Sequence, residues 1–335
     1  MSDGVKLSPV ETIPNPRMTE GNESPTPRFS RKGFRFDLFR LFTWVASAAT
    51  VATLLCIAAS ILIQAWPAIS RFGLGFFTSV AWKPSDPENY GVLPYLVGTA
   101  ISSLIALLFA LPLGVLIAIF LSENFLALPL RQTVRFVVEL LAAIPSVIYG
   151  LWGIAVVIPI VQQIGGPIAG SLGFLPLFQG PASGNSMLTA SLVLALMVLP
   201  TITAISRTAL VAVPGQLREG SYAIGATRWE TIFGVLLPTA APGIVAATIL
   251  AFGRAMGETM AVAMLIGNSP RLTWSLLSPA GTLASLIANK FGEAEDLQVS
   301  ALLYAAFALM LFTLLVNVAG ELVLRRAQKS ISGLR

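Results

Sequence analysis

The chain has 335 residues, of which 55% are hydrophobic and only 11% charged, with a mean hydropathy of +0.80 and a formal net charge of +5. That is too little polar side chain to cover a water-soluble globule of this length, so the composition predicts an integral membrane protein. It has no histidine and a single cysteine, Cys56, set in an apolar run. This argues against a disulfide framework, a thiolate metal site, a histidine-based hydrolase or a histidine-ligated haem.

The first forty residues are polar, and Pro9, Pro14, Pro16, Pro25 and Pro27 are spaced so that no helix could run far. They are expected to form a disordered tail. The apolar run that follows is long enough to span a bilayer and lacks a small-residue cleavage pattern, so it is not read as a signal peptide. Arg28, Arg31, Lys32, Arg35 and Arg40 precede it and favour a cytoplasmic N-terminus.

Six apolar segments, at about 43–65, 93–121, 135–161, 187–210, 236–266 and 299–323, each approach or exceed the roughly 20 residues that cross the hydrocarbon. Backbone exposed to lipid must satisfy its own hydrogen bonds, so such spans are helices. The expected fold is an all-α, six-helix transmembrane bundle over residues 41–335, with both ends on one side. In that orientation Arg71, Lys83, Arg271 and Lys290 lie outside and Arg254 lies within the membrane, while the rest of the 21 basic residues lie inside. The basic excess is therefore topological, and no nucleic-acid partner is expected.

Two outer segments stand out. Residues 66–92 are rich in aromatics, and residues 162–186 hold glycines and prolines without charge. Both are read as loops, either packed on the bundle or open to an external partner. Pro112, Pro145, Pro159, Pro200 and Pro242 lie in or near spans and predict bends.

Between the fourth and fifth spans lies a polar loop, residues 214–238. Residues 216–224 suit two helical turns, Gly225 supplies the permissive backbone to end them, and Thr227 with Glu230 has capping-box spacing for a second short helix. The order Glu219, Gly220, Ser221, Gly225, Val235, Leu237, Pro238 resembles the EAA loop of ABC importer permeases, with small residues in the two alanine places. The resemblance implies docking onto a separate ATPase subunit, with Glu219, Arg228, Trp229 and Glu230 as the docking face. The competing reading is an interfacial amphipathic helix anchored by Trp229. No lysine follows a glycine anywhere in the chain, so the GxxxxGK phosphate-binding loop is absent and the chain is not expected to hydrolyse ATP.

In the fifth span Arg254 and Glu258 are expected at i and i+4 on one helix face. An arginine at bilayer depth costs about 2.5–3.5 kcal/mol on insertion scales, which pairing with Glu258 would offset in part. The pair is either self-neutralising or part of a pathway, where the guanidinium fork suits an oxyanion and Glu258 can accept a proton from a phosphate hydroxyl.

The stretches GRAMGETMAVAMLIGN at 253–268 and ELLAAIPSVIYGLWG at 139–153, with the pattern FFTS, W, P, YG, LP, GT over 76–99, are similar to the C-type permease subunit of the high-affinity phosphate ABC importer. The resemblance covers the chain from about residue 35. It implies a type I importer fold and a heterodimer with an A-type phosphate permease subunit. It further implies two ATP-binding subunits that hold ATP and magnesium, a phosphate-binding protein outside, and no cofactor on this chain. It also implies a substrate pathway that uses Arg254, Glu258 and Glu139, the last of which could instead snorkel to headgroups. Alternatives are a permease for sulfate or molybdate, or a membrane scaffold that senses phosphate without transporting it.

Overall fold

The computed structural model describes residues 38–332 except 86–87, 124, 126 and 181–182. The expected tail therefore lies outside the described residues save for residues 38–40, which are already helical. Two compact units make up the chain, residues 1–53 and 54–335. Of the first, the described part is the start of helix α1 (Leu38–Phe72), exposed from residue 40 to residue 53, with Thr50 and Thr53 donating back to the carbonyls of Ala46 and Ala49. All that follows concerns the second unit.

Thirteen α-helices run through the described residues. After α1 come α2 (Gly75–Thr78), α3 (Leu93–Ser122), α4 (Leu128–Ala143), α5 (Ser146–Trp152), α6 (Ile158–Leu172) and α7 (Met187–Val211). Then follow α8 (Gly215–Ala223), α9 (Arg228–Thr231), α10 (Leu237–Gly257), α11 (Met260–Leu265), α12 (Leu283–Lys290) and α13 (Asp296–Ser332). Six stretches are long and apolar enough to cross a membrane: Arg40–Phe72, Leu93–Ser122, Ser146–Ser171, Met187–Val211, Arg228–Gly257 and Asp296–Arg326.

The third span differs from the expected 135–161. Ile144 is extended (φ −69°, ψ 126°) and Pro145 follows it, because a proline ring disfavours helical backbone in the residue before it. The apolar run is cut there. Its first part, α4, is a separate amphipathic helix, and the crossing helix is displaced to 146–171. Residues 162–172, expected in an outer loop, are accordingly helical. The fifth span also differs from 236–266: it starts at Arg228, ends at Gly257, and breaks at Glu258 and Thr259 before α11.

Two five-residue π segments, Gly153–Val157 and Ile232–Leu236, each end two residues before a proline, Pro159 and Pro238. A proline ring crowds the carbonyl four residues back and offers no N–H. Widening the preceding turn, with Ile158 N–H bonded to Gly153 and Leu237 N–H to Ile232, relieves that crowding and lets the helix continue.

The core is built around α7, two-thirds of whose most apolar stretch is buried. Its widest pairing is with α3, which presents Ala106, Ala110, Gly114 and Ala118 at four-residue intervals, all buried. Small residues in that register let two helices approach closely, as membrane packing without a strong hydrophobic drive requires. On α10, Ala240, Ala247, Ala251 and Ala255 are buried in the same way.

The end of the bundle opposite α8 and α9 carries an aromatic cluster. Strand β1 (Trp82–Lys83) pairs antiparallel with β2 (Asn89–Tyr90), Trp82 against Tyr90. Phe76 stacks on Tyr304 of α13 at 4.3 Å between ring centroids, and the Tyr304 hydroxyl donates to the Gly73 carbonyl. The aromatic segment at 66–92 is thus packed on the bundle. Thr99 fixes the neighbouring loop: its hydroxyl donates to the Tyr95 carbonyl and accepts the Leu283 N–H at 3.0 Å.

Gly98 lies directly against the Gly281 carbonyl oxygen, whereas Gly166 on α6 faces open space. Gly98→Ala is therefore expected to lower stability by about 1–3 kcal/mol through overpacking. Gly166→Ala should be neutral or stabilising by about 0.5–1 kcal/mol, because it removes a helix-interior glycine. Thermal unfolding of the detergent-purified variants checks both, and equal melting temperatures would remove the close approach at Gly98 from the account.

Candidate functional site

Two groups of residues are set apart by their surroundings: the α8–α9 loop and the end of α10. The loop is a helix, turn, helix. Gly225 has φ +87°, a backbone that residues with a Cβ adopt only at a cost, and it ends α8 there. Thr227 opens α9 with a complete capping box. Its hydroxyl accepts the Glu230 N–H, while Glu230 Oε2 accepts the Thr227 N–H at 2.7 Å and the Thr227 hydroxyl at 2.8 Å.

Ser221 is buried, and its hydroxyl meets that of Thr231 at 2.9 Å, so the two short helices are tied to each other. This explains why a small polar residue stands there: a larger side chain would separate α8 from α9. Glu219, Gly220, Gly225, Arg228, Trp229, Glu230 and Pro238 are all exposed. Trp229 stacks on Phe125 at 5.2 Å and on Phe233 at 5.9 Å, so its ring is held by the chain while nearly half of its surface stays open.

Three residues that the sequence reading did not single out complete this end. Arg218 pairs with Glu123, the residue capping α3, at 3.1 Å, and its guanidinium also donates to the Leu210 carbonyl near the end of α7 at 3.0 Å. Phe125 supplies the aromatic platform. Together with Ser122, Tyr222, Arg228 and Ile232 they line a cavity of about 310 Å³. The sequence signal for Glu123 was available, since it is the first charge after the long apolar run of α3. Nothing in the sequence joins it to Arg218.

The α10 group differs from expectation. Arg254 lies in the last turn of α10 and is exposed, but Glu258 has left the helix with φ −69° and ψ 127°. The two do not form the expected i, i+4 pair, and neither side chain has an ion-pair or hydrogen-bond partner among the described residues. The helix ends because Gly257, unfavourable inside a helix, is followed by the extended Glu258 and by Thr259, whose hydroxyl donates to the Gly257 carbonyl. Tyr149 on α5 stands within electrostatic reach of Arg254, and its hydroxyl donates to the Leu141 carbonyl at 2.8 Å. Glu139 is not brought to Arg254. It sits on α4, largely exposed, and binds Arg135 at 2.7 Å as an i, i+4 pair. On α13, Asn317 lies against Gly253. Among the described residues no group of three or more His, Cys, Asp or Glu is placed to hold a metal ion.

Residues 110–329 match the model of a family described as the binding-protein-dependent transport system inner membrane component. Curated relatives include the phosphate transport system permease protein PstC of Xylella fastidiosa strain Temecula1, 42% identical over 87% of this chain and 91% of the relative. That of Mesorhizobium japonicum is 41% identical over 86% and 90%. A probable phosphate transport system permease protein PstC of Methanocaldococcus jannaschii is 36% identical over 89% and 96%. Among solved structures, a chain of a bacterial alginate ABC transporter in complex with its periplasmic protein aligns over 86% of this chain and 97% of its own length. It has a TM-score of 0.55 at 16% identity. A chain of the inward-facing MetNI methionine ABC transporter aligns over 71% and 94%, with a TM-score of 0.50 at 24% identity. At such identities these two show the fold alone, that of an ABC importer permease. The chain belongs to the binding-protein-dependent transport system inner membrane components, alongside the phosphate transport permeases.

Proposed function

We propose that this chain forms one half of the translocation pathway of an ATP-driven inorganic phosphate importer, working by alternating access as its C-type permease subunit. The observation that carries the reading is Arg254, a guanidinium at the end of a membrane-crossing helix without an ion partner among the described residues. An unpaired arginine costs about 2.5–3.5 kcal/mol on insertion scales at a helix centre and less towards an end, and an oxyanion offers the planar, charge-assisted contacts that would compensate. Glu258, four residues on and on non-helical backbone, would accept a hydrogen bond from a protonated phosphate. A fully deprotonated sulfate has no such proton to give.

The other half of the path would come from an A-type permease subunit. The exposed face of the α8–α9 loop would dock on one of two ATP-binding subunits, which hold the ATP and magnesium, and a phosphate-binding protein would deliver substrate to the opposite end. In this reading both termini are cytoplasmic and the basic residues obey the positive-inside pattern. Importing an anion against a negative interior is uphill by about 2.3 kcal/mol per charge per 100 mV, which is why the step is coupled to ATP. Glu139, paired on an amphipathic helix, is assigned to the membrane boundary and not to the pathway.

Two experiments test this. In vesicles holding the reconstituted importer, Arg254→Gln is expected to cut ATP-dependent phosphate uptake by about 10- to 100-fold, the worth of hydrogen bonds to a charged group. The complex should still assemble, and excess sulfate should not compete with uptake by the wild type. Uptake that survives, or sulfate that competes, would refute the assignment. Separately, Trp229→Ala should weaken association with the ATP-binding subunit by about 30-fold, as loss of an aromatic anchor does. Unchanged association in a pull-down titration would leave the loop as a membrane-surface element.

A further inference from the structure

We infer that Arg218 is the positioning residue that carries movement of the α8–α9 loop into the transmembrane bundle, through one guanidinium shared between the ends of α3 and α7. The inference rests on the reading of the loop as the ATPase docking element. Arg218 belongs to α8, yet both its partners lie elsewhere: Glu123 caps α3 at 3.1 Å, and the Leu210 carbonyl lies in the last turn of α7 at 3.0 Å. Among the described ion pairs, the Arg135–Glu139 and Arg325–Glu321 pairs are local i, i+4 contacts, and Arg71–Glu88 is looser, at 3.9 Å, and more exposed.

The Arg218–Glu123 pair is the most enclosed of these, with side chains 25% and 15% exposed. A pair so withdrawn from water gains little net stability, because desolvation cancels most of the attraction. Its contribution is geometric. The guanidinium is planar and presents several donors in fixed directions, so a single head can hold two acceptors at once, which an ammonium cannot do in the same way. The 3.1 Å contact lacks hydrogen-bond alignment, and Glu123 Oε1 and Arg218 Nε have no other hydrogen-bond partner. The link is thus one that a small shift can re-form in a tighter geometry.

The space for that shift is present. The cavity of about 310 Å³ adjoins the pair and is floored by Phe125, whose ring is stacked on Trp229 of α9. A load applied at the exposed face of Trp229 therefore reaches the α3–α4 connection through the aromatic stack and the ends of α3 and α7 through Arg218. Since α3 and α7 form the most extensive helix pair of the bundle, moving their ends together with the loop moves the core as a block.

The test is a double-mutant cycle in the reconstituted four-component importer, reading ATP hydrolysed per phosphate imported, with assembly and melting temperature measured on each variant. Arg218→Gln is expected to raise that ratio by about 2- to 30-fold, the range typical of residues that carry coupling between sites, while the complex assembles and hydrolyses ATP. Glu123→Gln should raise it less, because the bond to Leu210 survives. The double variant should match Arg218→Gln alone, since both act through one link. A ratio unchanged in Arg218→Gln, effects that multiply in the double variant, or a loss only of assembly and melting temperature would each overturn the inference. Failure of the docking reading is distinguishable: Trp229→Ala would then leave ATPase association unchanged.

Discussion

A chain in hydrocarbon has no water to satisfy its backbone, so every departure from the helix must be compensated locally. This protein departs from it often. Proline stands at or next to the breaks and π turns at Pro145, Pro159 and Pro238, and they are handled in two ways. Where the span is to continue, as at Pro159 and Pro238, a widened turn absorbs the missing donor. Where the chain is to change direction, as at Pro145, the residue before proline becomes extended and two helices result. The placement of these elements follows: the Pro145 break separates amphipathic α4 from the crossing helix, and the Pro238 turn joins the α8–α9 loop to α10 without interrupting the span.

The second consequence concerns packing. Helices in lipid gain little from burying apolar surface, so they associate through close approach and a few polar contacts. The alanine and glycine stripe on α3, the alanines of α10 and the contacts of Gly243 with Ala209 and Gly320 with Ile249 are that solution here. It produces a closely packed group of α3, α7 and α10. Close packing bears on the coupling proposed for Arg218, because a loop could drive a bundle only if what it grips moves as a body.

The sequence made much of this legible. The hydropathy of 93–121 and 187–210 placed those helices within a residue or two, because an apolar run bounded by polar residues has few alternatives in a membrane. The capping box of Thr227 and Glu230 and the turn at Gly225 were equally readable, since both are local chemistry. What failed was tertiary or cumulative. A window from 135 to 161 averages to an apolar span, and the averaging hid the Pro145 break that detaches Glu139. Similarly, i, i+4 spacing implied an Arg254–Glu258 pair, but the helix ends between them. The Arg218–Glu123 link joins residues far apart in sequence, and no periodicity announces it.

The unpaired state of Arg254 follows from the same reasoning. Had α10 continued to residue 258, the two charges would have lain one turn apart on one face and neutralised each other. A self-neutralised pair is a closed structural unit: drawing an anion to the arginine would first require breaking it. Ending the helix at Gly257 takes the glutamate off the helix face that carries the guanidinium, so the positive charge is not neutralised by it. In the proposed pathway the cost of an unpaired charge in the membrane is carried by the resting protein, and binding of a substrate anion at Arg254 would relieve it. Too deep a relief would trap the anion. In the proposed pathway the Glu258 carboxylate would limit it, because a negative group next to the site repels the same ion that the arginine attracts.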